Sequence, residues 1–242
     1  MKIALIGYGK MGKKIEQVAL ERNHIIGLKI TEFNLDEFTI DNLKQCDLAI
    51  EFSSPDSAVT NFKKCFDAEI PVVCGTTGWY KELNFVKDYC QRSNGTFIYA
   101  SNFSIGVNLF FELNKKLAAM MGKTEGYSPS ITEIHHVHKK DKPSGTAITL
   151  ANGLIENIKG LKSYTVDELK PQTDFVNIKC FRENEVVGTH IVSFSSSIDQ
   201  IEIKHEAYSR KGFATGAVLA AEWIINRKGF FEMSDFMQTI IH

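Results

Sequence analysis

Near its N-terminus the chain reads Ile3-Ala4-Leu5-Ile6-Gly7-Tyr8-Gly9-Lys10-Met11-Gly12. The apolar run at the start of this stretch is typical of a buried strand, and apolar residues at helical spacing follow from Met11 to Arg22. The glycines between them fit the G-x-G-x-x-G pattern of a turn that binds a dinucleotide. In such a turn the first glycine permits the tight bend, the second admits a pyrophosphate and the third lets helix and strand pack closely. We interpret the stretch as the start of a nucleotide-binding domain whose helix N–H groups hold the pyrophosphate; a glycine-rich turn without a ligand is the alternative.

Short apolar runs and helical patterns continue to alternate up to residue 103. Further strands are predicted at 25–30, 48–52, 70–74 and 97–100. A helix is predicted to follow the N-cap and proline of Ser53-Ser54-Pro55, and another is predicted over 79–92. Strands that alternate with helices in this way indicate a parallel sheet with right-handed crossovers.

The pattern changes after residue 103. A long helix is predicted at 105–121 and a final one at 213–225, with strands at 131–137, 174–181, 186–194 and 198–206 between them. Apolar residues alternate with polar ones in the later strands, which favours a mixed or antiparallel sheet. We therefore predict an α/β fold with an N-terminal Rossmann-type parallel sheet, plus a second α+β domain with a mixed, largely antiparallel sheet. The expected domains are 1–103, with 211–242 packing back on it, and 104–210.

Composition limits the possible partners and compartment. The 242 residues include 28 Lys and Arg against 29 Asp and Glu, giving a net charge of −1, so no overall basic field attracts nucleic acid or an anionic membrane. The apolar start is too short for a signal peptide, and no apolar run is long enough to span a membrane. The five cysteines contain no C-x-x-C pair and are predicted to be reduced thiols. We expect a cytoplasmic protein with no nucleic-acid or membrane partner.

A dinucleotide site of this kind usually has an acidic residue at the end of its second strand, where it binds the ribose hydroxyls. Glu32 is the nearby carboxylate, slightly beyond a strand that is predicted to end near Ile30. Glu32 either contacts the ribose or is a solvated loop residue, and the sequence leaves both readings open.

The densest chemistry lies in Glu133-Ile134-His135-His136-Val137-His138-Lys139-Lys140-Asp141-Lys142-Pro143-Ser144-Gly145-Thr146-Ala147. Ser144 to Thr146 has the small residues of a helix start, and lysines beside free N–H groups form an anion site that can hold carboxylates. A histidine there can donate a proton near neutral pH. A metal site on His136 and His138 is less favoured because the neighbouring lysines oppose a cation, and a solvated charged loop is the remaining alternative.

These residues resemble those of the 4-hydroxy-tetrahydrodipicolinate reductase (dihydrodipicolinate reductase) family, in its compact form, over nearly the whole chain. The motifs that carry the resemblance are Gly7–Gly12, Glu51–Pro55, Gly75–Gly78, Ala100–Asn108, Glu133–Ala147, Val187–His190 and His205–Ala217. The resemblance implies an oxidoreductase that uses NADH or NADPH to reduce a small cyclic dicarboxylate, 4-hydroxy-tetrahydrodipicolinate, to tetrahydrodipicolinate with loss of water. It also implies a role in diaminopimelate and lysine biosynthesis, and a homotetramer built through the second, substrate-binding domain.

The resemblance also implies roles for individual residues. His135 is the general acid and Lys139 a second donor. The cofactor-binding residues are Gly7, Tyr8, Gly9, Lys10, Met11, Gly12, Gly75, Thr76, Thr77, Ala100 and Phe103, and the spacing of the glycine motif adds Glu32 to them. The substrate-binding residues are Thr77, His136, Lys139, Ser144, Gly145 and Thr146. No metal is implied.

Two alternative functions remain at this stage. An NAD(P)H-binding redox sensor without catalysis would keep the glycine loop but would not need the donors at 135–146. A metal-dependent hydrolase would rest on the histidine cluster alone. The sequence does not decide between NADH and NADPH, because Ile30 stands where the family's acidic residue is expected, while Lys10 and Lys29 could each favour a 2′-phosphate.

Overall fold

The structure, a computed structural model, describes residues 1–170 and 172–241. The chain divides into two compact units, one made of Met1–Asn108 and the residues from Arg210 onward, the other of Leu109–Ser209. The assignment of separate roles to domains 1–103 and 104–210 stays a prediction. None of the described helices has the length and apolar character needed to cross a membrane.

Strands and helices alternate along most of the described residues, but four strands follow one another between residues 163 and 207. The strands are β1 (Lys2–Ile6), β2 (Ile25–Ile30), β3 (Leu48–Glu51), β4 (Val72–Cys74), β5 (Thr96–Tyr99), β6 (Ser128–His135), β7 (Ser163–Val166), β8 (Phe175–Arg182), β9 (Gly188–Ser195), β10 (Gln200–Ala207) and β11 (Gly229–Glu232). The helices are α1 (Lys10–Glu21), α2 (Ile40–Leu43), α3 (Pro55–Asp67), α4 (Leu83–Arg92), α5 (Ile105–Met121), α6 (Gly145–Asn157), α7 (Lys211–Ile224) and α8 (Met233–Ile241).

The sheet of the first unit has the strand order β11-β5-β4-β3-β1-β2, and every pair in it is parallel. Apolar layers cover it on both sides. One contains Ile15 of α1 and Ala217 of α7, and the other contains Phe62 of α3 and Val86 of α4. The predicted Rossmann-type parallel sheet is thereby confirmed. The sequence did not predict the edge strand β11 or the helices α2 and α8, so the helix predicted at 213–225 is not the last one. Helix α4 also starts later than predicted, because residues 80–82 form a separate 3-10 turn.

The sheet of the second unit has the order β10-β9-β6-β8-β7. Strand β9 pairs antiparallel with β10 and with β6, whereas β8 pairs parallel with β6 and with β7. The predicted mixed sheet is confirmed, although its parallel pairs are as numerous as its antiparallel ones. Strand β7 was missed and accounts for one of the parallel pairs. Phe110 of α5 and Leu150 of α6 share the apolar cluster that also contains Ile131 and Val192 of the sheet.

Phe62 should be among the most stabilising side chains of the first unit. It is fully buried, with its ring 5.1 Å from that of Trp79 and 4.9 Å from that of Phe97, both edge-on. Phe62→Ala should lower the free energy of unfolding by about 3–5 kcal/mol, because it leaves a cavity that the sheet cannot close. Urea unfolding measures this loss. Phe33→Ala, at a position 88% exposed, is the control and should change stability by less than about 0.5 kcal/mol; similar losses in both variants would contradict the prediction.

Candidate active site

The glycine loop after β1 has a geometry that only glycines permit. Gly7 has φ +89°, and a Cβ there would lie 2.1 Å from the carbonyl oxygen of Phe52. A Cβ on Gly12 would lie 2.5 Å from the carbonyl oxygen of Gly7, whereas a Cβ on Gly9 would meet nothing within 4 Å. The first and third glycines therefore serve the turn and the close packing of helix on strand, and the second leaves open space above the backbone.

Helix α1 begins directly after this open space. Its N-cap residue is Gly9, and no side chain caps the helix, so its first N–H groups are available to a ligand. Free N–H groups at the positive end of a helix, beneath open space, bind an anion such as a pyrophosphate. The residues present therefore fit the dinucleotide that the motif implies.

A cleft of about 530 Å³ adjoins the loop, within the usual range for a small-molecule site. Gly7, Tyr8, Gly9 and Glu32 line it, as predicted for a cofactor site. Sequence reasoning missed other lining residues, which include Thr31, Phe33, Leu35, Ser53, Ser54 and Ser57. Ser53 and Ser54 could have been predicted, because they lie in Glu51–Pro55, one of the motifs that resemble the family.

A second cleft, of about 330 Å³, brings Lys10 and Met11 together with Gly75, Thr76 and Thr77. These residues come from two loops that are distant in sequence. Ala100 and Phe103 line neither cleft. Both side chains are buried, and the Phe103 ring lies 6.1 Å from that of Phe52, which lines both clefts.

Glu51, at the end of β3, is part of a hydrogen-bond network that connects the loops after β3 and β4. Its carboxylate is fully buried and accepts hydrogen bonds from the Ser53 hydroxyl and from Nδ2 of Asn61 at 3.3 Å. The Ser53 N–H in turn donates to Oγ1 of Thr76 at 2.8 Å. Burial raises the pKa of Glu51 above its usual range. Glu51 belongs to one of the motifs that resemble the family, but the sequence alone predicts no role for it.

The second unit places the predicted acid, His135, at the end of β6, close to the start of α6. Ser144 caps α6, since its hydroxyl accepts the Ala147 N–H at 3.2 Å. Its own N–H donates to Oε2 of Glu133 at 3.0 Å, and its Oγ lies 3.1 Å from Nε2 of His190. The first residue of the helix, Gly145, has open space where a Cβ would stand. These hydrogen bonds fix the start of α6, where the sequence predicts an anion site.

Arg182 joins this helix start to the loop before it. Both terminal guanidinium nitrogens lie 3.3 Å from Oε1 of Glu133, and Nη2 donates to the Asp141 carbonyl at 2.7 Å. Lys139, predicted as a substrate donor, is paired with both carboxylate oxygens of Asp141 at 2.8 Å. A bound carboxylate must therefore share Lys139 with Asp141. Sequence reasoning missed Glu133 and Arg182 as parts of the site and interpreted His190 as structural.

Burial sets the protonation of the groups around Glu133. Burial lowers the pKa of His135; Glu133 opposes this effect, whereas Lys139 and Arg182 add to it. Burial also lowers the pKa of His190, to about 3. Burial raises the pKa of Glu133, but the hydrogen bonds from Ser144 outweigh it and leave that pKa below its usual value. At neutral pH the cluster therefore holds a carboxylate, a guanidinium and two neutral imidazoles.

His190 should make the protein sensitive to acid. Its folded-state pKa is about 3, whereas an unfolded histidine titrates near 6.5, so below pH 6.5 the unfolded chain binds a proton that the native chain does not. Its contribution to the free energy of unfolding should be constant above that pH and fall by up to about 1.4 kcal/mol per pH unit below it. Urea unfolding from neutral pH to about pH 4.5 should give a shallower decline in His190→Gln. Equal slopes would contradict the assignment; His138→Gln, at an exposed position, is the control.

Glu133, His135 and His190 also have the spacing of a metal-ligand group, with their ligand atoms within 4.8 Å of one another. Both carboxylate oxygens of Glu133 already accept hydrogen bonds, from Ser144 and Arg182. A cation at this place would displace or face a guanidinium. The arrangement fits a hydrogen-bonded support for the helix start better than a metal centre.

Known proteins match nearly the whole chain. The family models for the N-terminus and the C-terminus of dihydrodipicolinate reductase match residues 1–103 and 106–237. A curated 4-hydroxy-tetrahydrodipicolinate reductase from Christiangramia forsetii is 48% identical and covers 99% of each chain. One from Pelagibacter ubique is 34% identical over 96% of this chain and 92% of its own. A solved dihydrodipicolinate reductase from Paenisporosarcina sp. TG-14, described as dipicolinate-bound, has the same fold, with TM-score 0.80 at 20% identity over 97% of this chain and 99% of that one.

Proposed function

The chain belongs to the dihydrodipicolinate reductase family, and we propose that its first unit binds the cofactor and its second unit binds the substrate. The reaction is the NAD(P)H-dependent reduction of 4-hydroxy-tetrahydrodipicolinate to tetrahydrodipicolinate with loss of water, in diaminopimelate and lysine biosynthesis. The observation that carries this function is the match of both family models to almost the whole chain. A redox sensor without catalysis is not favoured, since the curated relatives are reductases.

In the first unit, the glycine loop and α1 hold the cofactor. The α1 N–H groups and Lys10 bind the pyrophosphate, and Gly75, Thr76 and Thr77 lie beside the nicotinamide. Bound there, the cofactor supplies the hydride. Glu51 positions the loops from below, and the buried Phe103 and Ala100 support the cleft rather than line it. The exposed ring of Phe33 offers a stacking surface for the adenine.

In the second unit, the start of α6 and the loop before it hold the dicarboxylate. The N–H groups of Gly145 and Thr146, the Ser144 hydroxyl and His136 bind one carboxylate, and Lys139 binds the other. His135 gives a proton to the electron-rich ring that hydride addition leaves. Arg182 balances the charge of Glu133, so the Glu133 carboxylate does not repel the dicarboxylate substrate at the start of α6.

A coupled absorbance assay tests the function directly. The upstream synthase would generate the substrate from pyruvate and aspartate semialdehyde, and oxidation of reduced nicotinamide would be followed with and without this protein. Oxidation should require the synthase product and this protein together. No oxidation by folded protein that binds dinucleotide would contradict the reductase assignment.

We also propose a cytoplasmic homotetramer without a nucleic-acid partner. The family resemblance and Phe181, 47% exposed on β8, support the assembly, and the net charge of −1 supports the absence of a nucleic-acid partner. Light scattering after size-exclusion chromatography measures the assembly. A monomer at micromolar concentration would contradict it.

A further inference from the structure

We propose that His190 is a positioning residue of the substrate site: its Nε2–H donates to the Ser144 hydroxyl oxygen, so that this hydroxyl can act only as a donor to a carboxylate. The inference rests on the proposed substrate site at the start of α6. It adds to that site a residue that acts through Ser144 rather than on the substrate itself.

His190 lies on β9, directly across from Glu133 on β6, and is only 4% exposed. Its Nε2 lies 3.1 Å from Oγ of Ser144 and 3.8 Å from Oε2 of Glu133. The centre of its ring is 5.0 Å from that of His135, and the two rings meet edge-on. His190 is therefore in contact with several groups of the site while it is almost shielded from solvent.

Glu133 decides which ring nitrogen of His190 carries the hydrogen. At neutral pH the His190 ring is neutral, because burial lowers its pKa to about 3, so only one of its nitrogens has a hydrogen. Glu133 is ionised, since the hydrogen bonds from Ser144 hold its pKa below the usual value. A lone pair on Nε2 would face this negative charge at 3.8 Å, whereas an N–H is attracted to it. The hydrogen therefore lies on Nε2, which donates to Ser144.

This donation fixes what the Ser144 hydroxyl can do. A hydroxyl oxygen has two lone pairs and one hydrogen. One lone pair accepts the Ala147 N–H at 3.2 Å, in the cap of α6, and the other accepts the His190 N–H. Both lone pairs are then occupied, and the hydroxyl can only donate.

A hydroxyl that can only donate suits a site for carboxylates. In the ligand-free protein the Ser144 side chain hydrogen-bonds to Glu133, which is itself a carboxylate. A substrate carboxylate at the start of α6 can take over this hydrogen while both acceptor bonds of Oγ stay in place. Without the His190 N–H, a free lone pair of Oγ could face the incoming carboxylate and repel it.

Titration calorimetry on the full chain in the presence of NADH tests this inference without relying on turnover. The probe is pyridine-2,6-dicarboxylate, an aromatic ring with two carboxylates. His190→Leu should raise its Kd about tenfold, which is the scale of one hydrogen bond to a charged group. His190→Gln should raise the Kd by less than about threefold, because the glutamine amide can donate to Ser144 from a similar position.

Further variants separate this role from a structural one. His190→Asn, whose shorter amide does not reach Oγ, should behave like His190→Leu and serves where leucine prevents folding. Ser144→Ala should also raise the Kd, and adding His190→Leu to it should change the Kd little, because no hydroxyl remains to be oriented. His205→Leu is the matched control, since it makes the same change at the position on β10 that pairs with His190.

The possible results are distinct. A Kd for His190→Leu or His190→Asn within about threefold of the unaltered value would overturn the inference. Equal losses in His190→Gln and His190→Leu would overturn the donor role of Nε2. A full further loss when His190→Leu is added to Ser144→Ala would show that His190 does not act through Ser144. Failure of the unaltered protein to bind the dicarboxylate would overturn the proposed substrate site together with the inference.

Discussion

His135→Gln should lower kcat by about 10²–10⁴-fold, which is the usual contribution of a positioned general acid. His135 ends β6 within the cluster that also holds the capped start of α6, and its ring is almost fully buried. Its Nδ1 is buried without a hydrogen-bond partner among the described residues, and Oε2 of Glu133 lies 3.8 Å from it. Glutamine keeps similar volume and polarity but cannot donate a proton as an acid, so the fold should survive.

The pH profile distinguishes acid catalysis by His135 from a structural role. Its pKa is lowered in the free protein by burial, and the groups facing it are Glu133, Lys139, Asp141, Arg182 and the His190 ring. An acid must be protonated, so kcat/KM should fall as pH rises through that lowered pKa, and His135→Gln should lack this decline.

Steady-state kinetics with matched controls complete the test of His135. Lys139→Met should raise KM for the dicarboxylate as well as lower kcat, since Lys139 holds a carboxylate. His138→Gln, at a side chain 77% exposed, should retain nearly normal rates. A kcat for His135→Gln within about threefold of normal would remove His135 from the mechanism.

The sequence predicted the parts of the fold and the site whose structure depends only on residues that are close together in the chain. The turn at Gly7–Gly12 needs only its own glycines and the adjoining strand and helix, and Ser144 caps a helix that begins one residue later. Each signal lies within a few neighbouring residues. The short strand β11 was missed because nothing in four residues distinguishes an edge strand from a loop, and its pairing with β5 is decided by packing.

Strand register supplied what local sequence could not. Glu133 stands beside His190 because β6 and β9 pair at those positions, and His135 stands beside Arg182 because β6 and β8 do. A shift of one residue in either pairing would turn these side chains to the opposite face. No pattern within one strand encodes such a pairing, so Glu133 and Arg182 were absent from the predicted site.

Glu133→Ala should strongly destabilise the second unit, with a loss of roughly 3 kcal/mol or more in the free energy of unfolding. The substitution removes the acceptor of the Ser144 N–H and the partner of the Arg182 guanidinium, both at nearly buried positions. An unpaired buried donor and an uncompensated charge each cost free energy, in addition to the cavity left by the side chain. Glu185→Gln, at an 85% exposed side chain, is the control and should change stability by less than about 0.5 kcal/mol.

A double variant tests whether the charge pair, rather than the lost volume, causes that effect. Glu133→Ala combined with Arg182→Met removes both charges, so the double variant should unfold at a higher urea concentration than Glu133→Ala alone, because no unpaired guanidinium remains. Simple addition of the two single losses would mean that Glu133 and Arg182 do not act as a pair.

Since Glu133 also anchors Ser144, both variants should raise KM for the dicarboxylate, and the rise should persist in the double variant even where stability recovers. Recovery of stability without recovery of KM would separate the two roles of Glu133, balancing Arg182 and fixing the start of α6.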